Sequence, residues 1–150
     1  MTERYLEDVA AGDRFGTHSY HVTKDEILRF ALEFDPQAFH LDEAAAEGSD
    51  FGGLTASGWF TAAVGMRLFM TGELRFVGGA IGLGVDELRW PTPVRAGDEL
   101  RLTIEILETR PSRSKPNRGI IRVRNVMTNQ RGETVLSLMA SALVQRRTTR

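Results

Sequence analysis

Cysteine is absent from the 150 residues, and that absence removes disulfides, thiolate zinc sites and a cysteine nucleophile together. Nor does the chain contain an apolar run long enough to span a bilayer. Its start, Met1-Thr2-Glu3-Arg4-Tyr5-Leu6-Glu7-Asp8, carries acids where a signal peptide needs a basic and then an apolar stretch. A surplus of one charge is missing as well. The 19 basic side chains meet 20 acidic ones for a net charge of -1, so the balance draws the chain neither to nucleic acid nor to a membrane surface. Any anionic ligand has to be held locally. The expectation is a soluble, cytoplasmic protein with no nucleic-acid or membrane partner. What is present is ordinary: 41% hydrophobic and 26% charged residues, enough for one domain over residues 1–150 with a core of its own.

The hydrophobic period changes along the chain. Between Asp13 and Val22, Phe15, Tyr20 and Val22 alternate in part with polar neighbours, which reads as a strand, and Thr23-Lys24-Asp25-Glu26 is a capping-box pattern. The helix it opens places Ile27, Leu28, Phe30, Ala31 and Phe34 on one stripe. It should stop at Asp35, because Pro36 disfavours helical geometry in the residue before it. Asp42 can cap a second short helix that Gly48 ends. Ser57 to Met70 is apolar on nearly all sides, with Arg67 its single charge, and such a helix belongs inside the protein. Beyond it the period becomes two: Leu100, Leu102, Ile104 and Ile106 alternate with Arg101, Thr103 and Glu105, and two further β-type runs follow to Val144. Residues 95–98 and 129–133 read as turns. Thr109 to Gly119, with Pro111, Pro116 and four basic residues, reads as a mobile loop. Helices early and strands late around one buried helix make an α+β domain. A sheet curved about one helix leaves an edge and an open side to be covered, so at least a dimer is expected.

Two windows carry chemistry. The first is Phe34-Asp35-Pro36-Gln37-Ala38-Phe39-His40-Leu41-Asp42, and the second is Phe51-Gly52-Gly53-Leu54-Thr55-Ala56-Ser57-Gly58-Trp59. Asp35 comes at a helix end, where unpaired carbonyls and the helix dipole repel a carboxylate. Pro36 then turns the chain, and a loop over the next residues would bring the His40 imidazole back to the same cavity. Two titratable groups on one cavity can hold and activate a water. Each residue alone also has a plain reading, Asp35 as a turn residue before proline and His40 as a loop or core histidine. The glycine runs at 52–53 and 78–84 lack nucleotide-binding spacing. Trp90 reads as a packing residue.

In this order the windows resemble the MaoC-like dehydratase family and its (R)-specific enoyl-CoA hydratases, whose motif sets Asp and His five residues apart ahead of an apolar His-Gly helix start. Trp90-Pro91-Thr92-Pro93-Val94-Arg95-Ala96-Gly97-Asp98 resembles that family's strand-and-turn segment more loosely. The resemblance implies a hotdog fold, in which a curved antiparallel sheet wraps a long central helix, usually as a homodimer. It implies hydration of a trans-2-enoyl thioester to the 3-hydroxyacyl thioester, or the reverse, on CoA or acyl carrier protein, with no cofactor apart from the CoA of the substrate and no metal. Carried over by position, Asp35 and His40 bind the water, and the Gly58 N–H donates to the thioester oxygen, the bare glycine letting the thioester come close. Gln37, Phe39, Ser57 and Trp59 are expected to contact substrate. Gln37 stands where the family has Asn, and Ser57 where it has His. The cluster Arg110, Arg113, Lys115 and Arg118 has two readings, a solvated loop, or a phosphate-binding group in which Arg113, Lys115 and Arg118 meet the CoA. Two other activities stay open: a hotdog thioesterase, and a non-catalytic acyl-binding subunit.

Overall fold

The computed structural model describes residues 2–147. Two short strands, β1 (Arg14–Phe15) and β2 (Tyr20–His21), precede four long ones, β3 (Ile81–Arg89), β4 (Glu99–Pro111), β5 (Arg118–Thr128) and β6 (Thr134–Gln145). They form one antiparallel sheet in the order β1-β4-β5-β6-β3, with β2 also on β4. Its register keeps apolar residues on one face: Val123 lies opposite both Ile106 and Ala140, and a slip of one residue would turn every such side chain outward. On that face Leu100, Leu102, Ile104 and Ile106 are wholly buried, while Arg101 and Thr103 face solvent.

Four helices fill the chain between β2 and β3. They are α1 (Lys24–Phe34), α2 (Ala38–Leu41), α3 (Glu43–Glu47) and α4 (Gly58–Thr71). The capping box at α1 forms as read, with Thr23 Oγ1 accepting from Glu26 N–H and Glu26 Oε1 from Thr23 N–H. Asp42 caps α3. Phe60, Val64, Leu68 and Phe69 of α4 join Ile104, Ile121, Val123 and Met127 in the core. Burying one such side chain contributes about 1.5–3 kcal/mol, so this seam between helix and sheet fixes where the start of α4 stands. The architecture is the α+β arrangement expected, a curved antiparallel sheet with a central helix.

Four local readings change. The segment from Asp13 to Val22 is two short strands, because Gly16 turns aside to bond Glu73 through both its N–H and its carbonyl. The span from 109 to 119 is strand at both ends around a six-residue connection, 112–117: Thr109, Arg110 and Pro111 pair with Ile121, Ile120 and Gly119. Pro111 is tolerated because it ends its strand, where a missing donor costs little. Phe34 is 66% exposed and leaves the α1 stripe to stack on Phe30. Finally, α4 is not enclosed on all sides, since Trp59 and Met66 are 59% and 60% exposed.

Candidate active site

Asp35 is the last residue held by α1, its N–H bonding to Ala31 O at 2.9 Å. Pro36 breaks the helix, Gln37 N–H turns back to Asp35 O at 2.7 Å, and the single turn of α2 returns His40 to Asp35. A helical turn, not a loop, makes the return. His40 is buried, with Nδ1 2.6 Å from the Thr55 carbonyl. A carbonyl only accepts, so Nδ1 carries the hydrogen and Nε2 is the atom left to react. Nε2 lies 3.4 Å from Asp35 Oδ2.

Both carboxylate oxygens of Asp35 have donors. Ser57 Oγ donates to Oδ2 at 2.7 Å and Gln37 Nε2 to Oδ1 at 2.6 Å. The Ser57 hydroxyl is the largest influence; with Gln37 and the nearby His40 it holds the carboxyl below the usual aspartate range, against burial, which pushes upward. An ionised Asp35 with His40 Nε2 3.4 Å away puts two polar atoms on one spot, which suits a water held between them.

The third element is the start of α4. Ser57 Oγ also accepts from Trp59 N–H at 3.3 Å, capping the helix. The Gly58 N–H, at the positive end of the helix dipole, has no protein acceptor among the described residues. Trp90 determines why this residue is glycine: its indole N–H donates to Gly58 O at 2.8 Å, and a Cβ at position 58 would lie 2.6 Å from the ring. The side of Gly58 expected to admit the thioester is therefore occupied by tryptophan, and the N–H is what remains available.

Asp35, Gln37, His40, Gly58 and Trp59 line one cavity of about 310 Å³. Ser57 stands beside it, its hydroxyl engaged by Asp35 and the helix cap. Phe39 lies outside the wall, edge-on to His40 at 4.6 Å, and braces the imidazole. Arg113, Lys115 and Arg118 do not join the site within one chain. Arg113 and Lys115 lie in the turn joining β4 to β5 and Arg118 opens β5, whereas Val94 of the cavity wall lies before the other end of β4, and a strand of that length spans about 40 Å. Trp90, Thr55, Thr61 and Phe51 line the cavity without having been singled out as site residues. For Thr55 a weak signal existed, its place three residues before Gly58. For Trp90 none did, because 32 residues separate it from the carbonyl it bonds.

Comparison with known proteins gives the family. Residues 8–129 match the family described as MaoC like domain. The MaoC-like dehydratase from Rhodospirillum rubrum superposes with a TM-score of 0.92 at 49% identity, over 97% of this chain and 99% of that one. The unliganded (R)-hydratase PhaJ1 of Pseudomonas aeruginosa gives a TM-score of 0.77 at 26% identity, over 95% and 86% of the two chains. A 3-hydroxyacyl-thioester dehydratase of Mycobacterium tuberculosis, dehydratase Z, is 32% identical over 101 residues, 65% of this chain and 67% of its own. With the family match covering most of its length and the hotdog architecture shared by those structures, the chain belongs to the MaoC-like dehydratase family.

Proposed function

We propose that this protein is a hydro-lyase that adds water across the double bond of a trans-2-enoyl thioester, or removes it from the 3-hydroxyacyl thioester. The observation that carries the reading is the meeting of Asp35, His40 and the unpaired Gly58 N–H on one cavity. The (R)-hydratase and the thioester dehydratase among the relatives support the same chemistry. In the hydration direction Asp35 and His40 orient a water, and Asp35 takes one of its protons. The hydroxyl oxygen bonds to C3 as the π electrons move onto the thioester oxygen, where the Gly58 N–H and the α4 dipole meet the growing charge. The proton taken by Asp35 then passes to C2, relayed through His40 Nε2, which completes the addition and returns both groups to their starting states.

The acyl chain and the carrier need more room than this cavity. Beside the second half of α4 lies an apolar cleft of about 430 Å³, lined by Met66, Phe69, Met70, Val85, Ala140 and Ala142, and this reading assigns it to the acyl chain. One of its walls is β3, whose outer edge has no partner strand among the described residues and whose Ile81, Leu83 and Val85 are exposed. An exposed apolar edge strand next to a half-exposed apolar helix is the kind of surface that proteins cover, so the reading includes a homodimer joined along β3 by a two-fold axis. Antiparallel pairing of the two β3 strands would set the start of one beside the end of the other. The turn carrying Arg113, Lys115 and Arg118, at the same end of the sheet as Ile81, would then face the partner copy's site and could meet the CoA phosphates.

A panel of trans-2-enoyl-CoA thioesters, followed at once for loss of enoyl absorbance and for free thiol, tests the reaction. Loss of absorbance without thiol is the expected result. Thiol release would make the protein a thioesterase, which can also use a carboxylate and a helix-end donor. Tight acyl-CoA binding with neither change would make it a binding subunit.

A further inference from the structure

We propose that Ser57 is a positioning residue whose one hydroxyl ties the Asp35 carboxylate to the N-terminus of α4, so that the base and the thioester oxygen draw on the same helix end. The inference deepens the hydratase reading and rests on it for its kinetic consequence, though not for its structural one.

A serine hydroxyl has one hydrogen and two lone pairs. At Ser57 a lone pair accepts from Trp59 N–H at 3.3 Å, and the hydrogen goes to Asp35 Oδ2 at 2.7 Å. The side chain is almost wholly buried, 1% exposed, so solvent does not compete for either bond. Chain topology makes this link unusual: Asp35 and Ser57 are 22 residues apart and sit on the end of one helix and the cap of another. Gln37 restrains only the other carboxylate oxygen and belongs to the same turn as Asp35. Among the described residues His40 is the one titratable group acting on Asp35. Where the family pattern has an ionisable histidine before the glycine, this chain has a residue that stays neutral, so the charge beside Asp35 does not vary with the state of residue 57.

The arrangement has a consequence for the reaction. When a water O–H bond breaks and its proton passes to Asp35, negative charge leaves the carboxylate. As the C3–O bond forms, the same unit of charge arrives on the thioester oxygen at the Gly58 N–H, one residue from Ser57. The charge held at the start of α4 is conserved while it changes place, and the helix end needs no reorganisation. Without the Ser57 link, Asp35 would ionise less readily and the two charges would no longer share one set of dipoles.

The test uses the full-length protein labelled with ¹³C-aspartate, as wild type, Ser57→Gly and Ser57→Thr. Glycine removes the hydroxyl yet is well tolerated at a helix N-cap, and threonine restores a hydroxyl there. Thermal unfolding confirms that each variant is folded. The Asp35 carboxyl resonance is titrated, and kcat/KM for crotonyl-CoA is measured against pH. In Ser57→Gly the Asp35 titration should move up toward that of an ordinary aspartate, with the acid limb of the rate profile moving the same way, since the base must be unprotonated. At acid pH kcat/KM should fall by about ten- to a hundredfold, the range for losing a hydrogen bond to a charged group. Ser57→Thr should restore the wild-type titration. An unmoved Asp35 titration in Ser57→Gly, or an equal displacement in Ser57→Thr, overturns the proposal. A displaced titration in a protein that hydrates no enoyl-CoA upholds the Ser57 assignment and rejects the hydratase reading.

Discussion

The cavity at the start of α4 and the cleft beside its second half are built on opposite plans. In the first, the groups that carry the chemistry are held by the chain itself: Asp35 by Ser57 and Gln37, His40 by Thr55, and Gly58 by Trp90. In the second, the walls are apolar or small residues, and one side is an open sheet edge. Fixed geometry is needed where bonds are made, since a misplaced base or donor loses most of its effect. An acyl chain asks only for apolar room, and a second copy can supply the missing side. Under the homodimer proposed above, one chain would complete the reactive end and leave the binding end to its partner.

The largest effects should come from breaking the rigid half. Asp35→Asn and His40→Ala should each lower kcat by about a thousandfold, within the range for a positioned acid or base, while thermal unfolding stays near wild type. Near-normal turnover in either variant would remove that residue from the chemistry. Gly58→Ala should follow at about a hundredfold, a typical cost for disturbing one oxyanion donor. Its cause is indirect, since the added methyl meets Trp90. Pairing Gly58→Ala with Trp90→Leu should recover part of the lost turnover if the collision is responsible, and none if position 58 must be bare for the substrate.

Changes to the open half should act on assembly first. Leu83→Lys combined with Val85→Lys charges the outer edge of β3, and like charges would face each other across the two-fold axis. Sedimentation should show monomers where the wild type gives dimers, and the Michaelis constant for long acyl chains should rise more than that for crotonyl-CoA. A dimer that survives this pair of changes is joined elsewhere.

This division also explains what could be read from the sequence. Local rules were enough for the α1 cap at Thr23, the helix stop at Asp35 before Pro36, and the alternation along β4, because each depends on neighbours a few residues away. The Asp35, His40 and Gly58 set was legible from motif order. Its supports were not, because Ser57 to Asp35 and Trp90 to Gly58 are contacts that only the folded chain creates. The prolines at 111 and 116 suggested a loop, yet pairing with β5 extends β4 to Pro111: long-range hydrogen bonding overrode local preference. The same limit applies to α4, whose composition is that of a buried helix although Trp59, Met66 and Met70 are exposed.

The smallest effect expected is at the β4–β5 turn, and it links the two halves. Arg113, Lys115 and Arg118 lie too far along β4 to serve the cavity of their own chain, but under two-fold pairing of β3 they reach the end of the double sheet where the other copy's cavity opens. Replacing all three by alanine should raise the Michaelis constant for crotonyl-CoA by about three- to tenfold with little change in kcat, as expected for lost solvent-exposed ion pairs that bind ground and transition states alike. The effect should weaken with added salt. Mixed dimers give the sharper measurement. A copy carrying Asp35→Asn with an intact turn, paired with a copy carrying the triple alanine change and an intact Asp35, contains one working cavity faced by one intact turn. That mixture should show the wild-type Michaelis constant if the turn serves its neighbour, and the raised one if the turn serves its own chain.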